Sequence, residues 1–181
     1  ITLSTRGGKQ VLAYEPDPRR AELLVRLFGL DGNRAKGVST PGEKAGDYYD
    51  ETPLEGDQIK LYRSGTMRLG YVAQDVPLVQ YAANKVAKHM SKPIVGGLNR
   101  LKRVARFLKD HPRWQLVYVE QEAVTKMTVR ADSDWAQDTL DRKSVSSVHV
   151  LPGSHLIRSL VATQTAPALS SGEAEFVASV K

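Results

Sequence analysis

Apolar residues recur along this chain with two different periods, and these periods predict where strands and helices lie. Near the start, apolar and polar positions alternate over residues 1–4, and a second strand-like run, Gln10-Val11-Leu12-Ala13-Tyr14, follows. The two runs flank Thr5-Arg6-Gly7-Gly8, a sequence that favours a tight turn. The opening of the chain is therefore predicted to be a β-hairpin.

Three segments have the helical period. The first begins with Asp17-Pro18, a good cap followed by a good first-turn residue, and ends at Gly29. The second spans about Val76 to Met90, and the third spans about Val95 to Asp110. Residues 31–58 are rich in Gly, Pro and charged residues and lack a period, which predicts an extended connection.

The last third of the chain returns mainly to the strand period. Strands are predicted around residues 116–118 and 125–130, and a hairpin is predicted from residues 147–151 and 156–160, which flank Pro152-Gly153. A final helix is predicted from about Ser170. This order of elements indicates an α/β (α+β) protein.

The amino-acid composition limits the partners and the metal sites that this chain can have. The chain has 181 residues, a formal net charge of +6 and a pI near 9.5, which favours anionic partners, nucleic acid first. It has no Cys, and none of its four His form a pair at helical i,i+4 spacing. A metal site would therefore use oxygen ligands, which suit Mg²⁺ or Mn²⁺. With no signal peptide and no apolar run of membrane-spanning length, we expect an intracellular protein.

Two acidic segments lie about 40 residues apart. Ala131-Asp132-Ser133-Asp134-Trp135-Ala136-Gln137-Asp138 follows a predicted strand, and Leu169-Ser170-Ser171-Gly172-Glu173-Ala174-Glu175-Phe176 opens the last predicted helix. They resemble the "SDADWAGD" and "LSSTEAEY" segments in the RNase H domain of Ty1/copia-type retrotransposon Pol polyproteins.

Further segments follow the order of the same family. Val38-Ser39-Thr40-Pro41 resembles the end of its reverse transcriptase, and Tyr62-Arg63-Ser64-Gly65-Thr66 resembles the start of its helical connection. Residues 102–109 resemble "K-R-V-L-R-Y-L-K", residues 141–147 resemble "D-R-K-S-T-S-G", and Gln164 matches a family Gln. The resemblance covers essentially the whole chain.

The resemblance implies a domain order. Residues 1–58 would be the end of the reverse transcriptase (thumb-like) with a linker, and residues 59–113 the helical connection. Residues 114–181 would be the first part of an RNase H-like mixed sheet. The family's partner is an RNA–DNA hybrid, whose RNA strand it hydrolyses with two Mg²⁺ ions held by carboxylates. Asp132 and Glu173 correspond to catalytic, metal-binding residues of the family.

Each of these residues has a structural alternative. Glu173 follows Ser170 by three residues, which is the spacing of a capping box. Asp132 and Asp134 could be polar turn residues at a strand end. The basic face of the third helix is the candidate nucleic-acid surface, or else simply a solvated helix face. That face consists of Lys102, Arg103, Arg106 and Lys109.

Three functions remain open. Other aspartates of both family sites would fall before Ile1 or after Lys181, so we expect neither active site to be complete and little hydrolysis. The first function is a Pol fragment of ancestral RNase H activity. The second is a non-catalytic structural subunit of a larger assembly with protein partners. The third is an unrelated basic interaction domain.

Overall fold

The structure, a computed structural model, describes residues 1–32, 35–42, 50–136 and 141–180. Parts of the predicted connection, Gln137 and Asp138 of the first acidic segment, and Lys181 lie outside the described residues. Two compact units are formed: Pro16–Trp114, and Ile1–Glu15 together with Gln115–Lys181. The described residues contain five α-helices and two three-stranded antiparallel sheets, so the predicted mixture of helices and strands is confirmed.

The unit Pro16–Trp114 is helical. Its helices are α1 (Arg19–Leu27), α2 (Asp57–Asp75), α3 (Gln80–Ala87) and α4 (Val95–Asp110), with a 3-10 turn at Pro77–Val79. They enclose a single apolar core, whose fully buried members include Leu24, Tyr62, Leu69, Val86, Leu101 and Val104. The predictions of α1 and α4 are confirmed, and α4 has the predicted bounds.

Helix α2 was not predicted, although its buried positions have helical spacing. These positions are Tyr62, Gly65, Thr66, Leu69, Val72 and Ala73. Two glycines, a serine and a threonine dilute the apolar stripe and lower the helix propensity. The buried residues of α2 join the apolar core, and Gly65 lets the helix lie close to Leu101 of α4 and Phe28 beside α1.

The second predicted helix begins later than expected. Val76 has an extended backbone because it precedes Pro77, and a proline disfavours helical geometry in the residue before it. A single 3-10 turn follows, and α3 then runs only from Gln80 to Ala87. Turns replace regular helix from there to Met90.

The first sheet belongs to the other unit. It contains β1 (Thr2–Arg6), β2 (Lys9–Tyr14) and β3 (Leu116–Val119) in that order. The predicted hairpin is confirmed, with its turn at Gly7-Gly8, where both residues have positive φ angles. Strand β3 pairs with β2 across about 100 residues of sequence, which no local pattern indicates.

The second sheet contains β4 (Met127–Asp134), β5 (Val145–Pro152) and β6 (Arg158–Thr163), and α5 (Ser171–Ser179) packs against β4 and β5. The expectation of a mixed sheet was wrong for the described residues, where every pairing is antiparallel. Successive strands here are joined by short connections, whereas parallel pairing needs a crossover of a dozen or more residues. None of the described helices combines the length and apolarity that crossing a bilayer requires.

Candidate functional site

Asp132 lies near the end of β4 and is exposed. Its cross-strand partner is Ser147 on β5, whose hydroxyl lies 3.2 Å from Nε2 of His149. Because side chains alternate along a strand, Asp132 shares a face of the sheet with Asp134 and Arg130, and Ser133 points to the other face. Asp134 accepts a hydrogen bond from the backbone N–H of Val145, so it holds two strands together.

A buried glutamine identifies which face α5 covers. Gln164 is 2% exposed, and its Nε2 lies 3.2 Å from Ser133 Oγ, 3.0 Å from Ser146 Oγ and 2.9 Å from the carbonyl oxygen of Ala174. The side chain therefore connects β4, β5 and α5. Ser133 lies on the face that α5 covers, and Asp132 lies on the opposite face.

Glu173 occupies the first turn of α5 and is exposed. Its backbone N–H donates to Ser170 Oγ at 3.1 Å, and its Oε2 accepts from the N–H of Leu169 at 2.7 Å. The capping role predicted from the spacing of Ser170 and Glu173 is confirmed. The Glu173 carboxylate thus stabilises the start of α5, whatever other role it has.

The assignment of Asp132 and Glu173 as metal ligands stays a prediction. Strand alternation directs the Asp132 side chain away from the face that α5 covers, and one carboxylate oxygen of Glu173 is already hydrogen-bonded. No group of three or more His, Asp or Glu residues able to hold a metal ion occurs among the described residues. Two Mg²⁺ ions need several converging carboxylates, so the residues described do not fit that group.

The basic face of α4 is divided between two roles. Arg103 donates from Nε to the carbonyl oxygen of Gly42 and from Nη2 to Thr40 Oγ1 at 3.1 Å. Lys109 donates from Nζ to the carbonyl oxygens of Gly32 and Ala35, both at 2.7 Å. Lys102 and Arg106 have no hydrogen bond or ion pair with any other described residue.

A longer basic segment surrounds these four residues, and no motif indicated it. From Val76 to Lys109 the chain contains no Asp or Glu but eight Lys and Arg. These residues are Lys85, Lys88, Lys92, Arg100, Lys102, Arg103, Arg106 and Lys109. The signal for this segment is the absence of acids over a long stretch, which covers α3 and all of α4 except Asp110.

The net charge is carried by one unit. Pro16–Trp114 contains 18 Lys and Arg against 11 Asp and Glu, whereas the other unit contains 8 against 9. The helical unit is therefore strongly basic, and the unit with Asp132 and Glu173 is close to neutral. A polyanion would be attracted to the helical unit.

Two Pol polyproteins and an uncharacterized mitochondrial protein, all of Arabidopsis thaliana, are similar in sequence to this chain. The chain is 32% identical over 155 residues to the "Retrovirus-related Pol polyprotein from transposon RE2" of Arabidopsis thaliana, which is 86% of this chain and 10% of that protein. It is 30% identical over 115 residues to the corresponding polyprotein from transposon RE1 of the same plant, or 64% of this chain and 8% of that protein. An uncharacterized mitochondrial protein of Arabidopsis thaliana is 29% identical over 115 residues, 64% of this chain and 48% of that protein.

The chain spans about a tenth of the length of the two Pol polyproteins that it matches. No family model and no solved structure matches it. The two Pol similarities agree with the series of motifs found along the sequence, from Val38-Ser39-Thr40-Pro41 to the segment around Glu173. The chain therefore belongs to the Ty1/copia-type family of retrotransposon Pol polyproteins.

Proposed function

We propose that this chain is the part of a reverse transcriptase/RNase H polyprotein that holds an RNA–DNA hybrid by its phosphate backbone. In this proposal the helical unit makes the contact, and residues 127–180 are the opening of an RNase H-like domain. The order of three strands and a helix, with Asp132 on the first strand and Glu173 in the first turn of the helix, supports the second part.

The observation that carries the proposal is the stretch from Val76 to Lys109, which has eight cations and no acid. A nucleic-acid duplex presents closely spaced negative charges, and cations that neutralise its phosphates release condensed counterions. A segment without carboxylates attracts such a backbone without repelling it at any position from Val76 to Lys109. The exposed side chains of Lys92 and Arg106 lie on this stretch.

We do not propose that Asp132 and Glu173 hydrolyse RNA by themselves. The described residues contain no group of three or more His, Asp or Glu residues able to hold a metal ion, so no catalytic step is assigned to Asp132 and Glu173. The proposed role of this chain is therefore to bind and position the hybrid within the polyprotein.

A titration with a fluorescently labelled RNA–DNA hybrid at several salt concentrations tests this function. We expect binding whose affinity falls steeply with salt, with a log–log slope that grows with the number of phosphate contacts. In the same samples, Mg²⁺ should give no more cleavage of the hybrid than it gives with the double variant Asp132→Asn/Glu173→Gln. Binding that does not depend on salt would contradict the proposal, and cleavage that this variant abolishes would show that the two carboxylates do hold metal.

A second candidate function, a non-catalytic structural subunit, is favoured by a different observation. Met127 and Val129 share the face of β4 that carries Ser133, yet they are 62% and 56% exposed. Leu160 on β6 is partly exposed on the same face. An apolar sheet face of this kind is typical of a protein–protein contact. A hybrid titration with no binding at any salt concentration would favour this function over the first.

A further inference from the structure

Residues 32 and 35–42, here called the α4 strap, lie along the polar side of α4. The strap contacts the helix at both ends, through Gly32 and Ala35 near Lys109 and through Thr40 and Gly42 near Arg103. Between these points Gly37 lies so close to Asp110 that a side chain on Gly37 would collide with the Asp110 carboxylate. Val38 packs against the apolar core of the helical unit.

Arg103 and Lys109 supply the polar contacts that fasten the strap. Each places two hydrogen bonds on strap oxygens, three of which are backbone carbonyls and a fourth of which is the hydroxyl of Thr40. Both side chains are only partly exposed. A hydrogen bond from a charged donor is stronger than one between neutral groups, so these contacts contribute more than ordinary loop contacts.

The other two cations of the basic face, Lys102 and Arg106, are placed differently. Lys102 and Arg106 are one turn apart on α4, and neither contacts another described residue through a hydrogen bond or an ion pair. Arg106 is exposed. The four cations of the basic face therefore form two pairs: one is bound to the strap, and the other, with Lys102 partly exposed, makes no such contact with the described residues.

We propose that Arg103 and Lys109 are the fasteners of the strap and that, of the four cations on the basic face of α4, Lys102 and Arg106 provide the phosphate contacts. The second half of this statement rests on the proposed function, and the first half does not. A guanidinium that already binds a carbonyl and a hydroxyl offers phosphate only its remaining N–H groups, and an ammonium with two such bonds offers only one. The strap thus makes Arg103 and Lys109 less available to a polyanion than Lys102 and Arg106.

Four single substitutions separate the two pairs: Arg103→Ala and Lys109→Ala against the matched controls Lys102→Ala and Arg106→Ala. Hydrogen exchange measured by mass spectrometry should be at least about tenfold faster in residues 35–42 of the first two variants, because charged hydrogen bonds holding the strap are lost. The two controls should exchange like the wild type. Thr40→Val, which removes one bond from the strap side and keeps Arg103, should show a smaller change in the same direction.

Salt titrations with the labelled hybrid provide the second measurement. Lys102→Ala and Arg106→Ala should each lower the log–log salt slope by about 1, the effect of one phosphate contact. Arg103→Ala and Lys109→Ala should each change the log–log salt slope by less than about 0.5. Unchanged exchange in both fastener variants, or slopes that fall equally in all four variants, would overturn the inference. If the wild type does not bind the hybrid, the proposed function fails and the exchange measurement still decides the fastening role.

Discussion

Tyr62 is fully buried in the helical unit, and its hydroxyl donates a hydrogen bond to the carbonyl oxygen of Val86 on α3. Burial raises the pKa of Tyr62 to about 12 from the ordinary value of 10.0. Below pH 10 the phenol is protonated in both the folded and the unfolded chain. Between pH 10 and 12 the unfolded chain loses this proton and the folded chain keeps it, so stability falls as pH rises.

The pH dependence gives a prediction for Tyr62→Phe. A shift of about two pKa units corresponds to roughly 3 kcal/mol. Between pH 10 and 12 the unfolding free energy should therefore fall more in the wild type than in the variant, and the difference should be about 3 kcal/mol. At neutral pH the variant should be less stable by about 0.5–1.5 kcal/mol, because one buried hydrogen bond is lost while the Val86 carbonyl keeps the bond from the backbone N–H of His89. Urea unfolding followed by circular dichroism at several pH values measures both effects.

Tyr71→Phe is the control for that experiment. Tyr71 is 53% exposed on α2, so removal of its hydroxyl leaves no buried group unpaired. The variant should follow the wild type across the whole pH range. An alkaline loss of stability that persists unchanged in Tyr62→Phe would show that another group causes it.

Single residues of the candidate site were predictable only where their partners are near in sequence. Ser170 and Glu173 are three residues apart, and their capping contacts follow from that spacing alone. The strap contacts of Arg103 and Lys109 join residues more than 60 positions apart, so no local pattern distinguishes them from Lys102 and Arg106. The face on which Asp132 lies likewise follows only from the contacts of Gln164.

At the scale of elements, the two glycines of α2 should respond oppositely to alanine. A Cβ on Gly65 would lie 2.8 Å from Leu101 Cδ2 and 3.3 Å from Phe28 Cζ, whereas a Cβ on Gly70 would meet nothing within 4 Å. Gly70→Ala should stabilise the protein by up to about 1 kcal/mol through helix propensity. In Gly65→Ala overpacking of about 1–3 kcal/mol outweighs that gain, so this variant should be destabilised.

Thermal and urea unfolding of the two variants measure this difference directly, and each serves as the control for the other. Equal stabilisation by both substitutions would show that α1, α2 and α4 do not pack closely at Gly65. Helicity by circular dichroism should remain unchanged in both, because neither substitution removes a backbone hydrogen bond.

An element was predictable from the sequence when the residues that define it lie within its own segment. The hairpin of β1 and β2, helix α1 and helix α4 carry their own turns, stops and stripes, and all three were predicted. Helix α2 was missed because the reason for Gly65 lies on neighbouring helices, outside its own segment. The pairing of β3 with β2 was missed for the same reason, since the two strands are far apart in sequence.

At the scale of the whole molecule, the excess of basic residues belongs to one unit, and Asp132 and Glu173 belong to the other. The helical unit Pro16–Trp114 has seven more basic than acidic residues, and the unit that contains Asp132 and Glu173 has one more acidic than basic residue. Long-range attraction of a polyanion depends on this summed charge and is screened by salt. The first contact with nucleic acid should therefore be made by the helical unit.

Hydrogen exchange with and without a labelled RNA–DNA hybrid tests this separation. Residues 76–109 should be protected at low salt, because they carry eight cations and no acid, and the protection should disappear as salt is raised. Residues 127–136 and 141–180 should exchange at the same rate with and without the hybrid, since their unit has no excess of cations. A single-stranded RNA of equal length, with half the charge density, should protect residues 76–109 less. Protection confined to the unit of Asp132 and Glu173 would contradict the proposed function and would indicate that these carboxylates lie beside the bound strand.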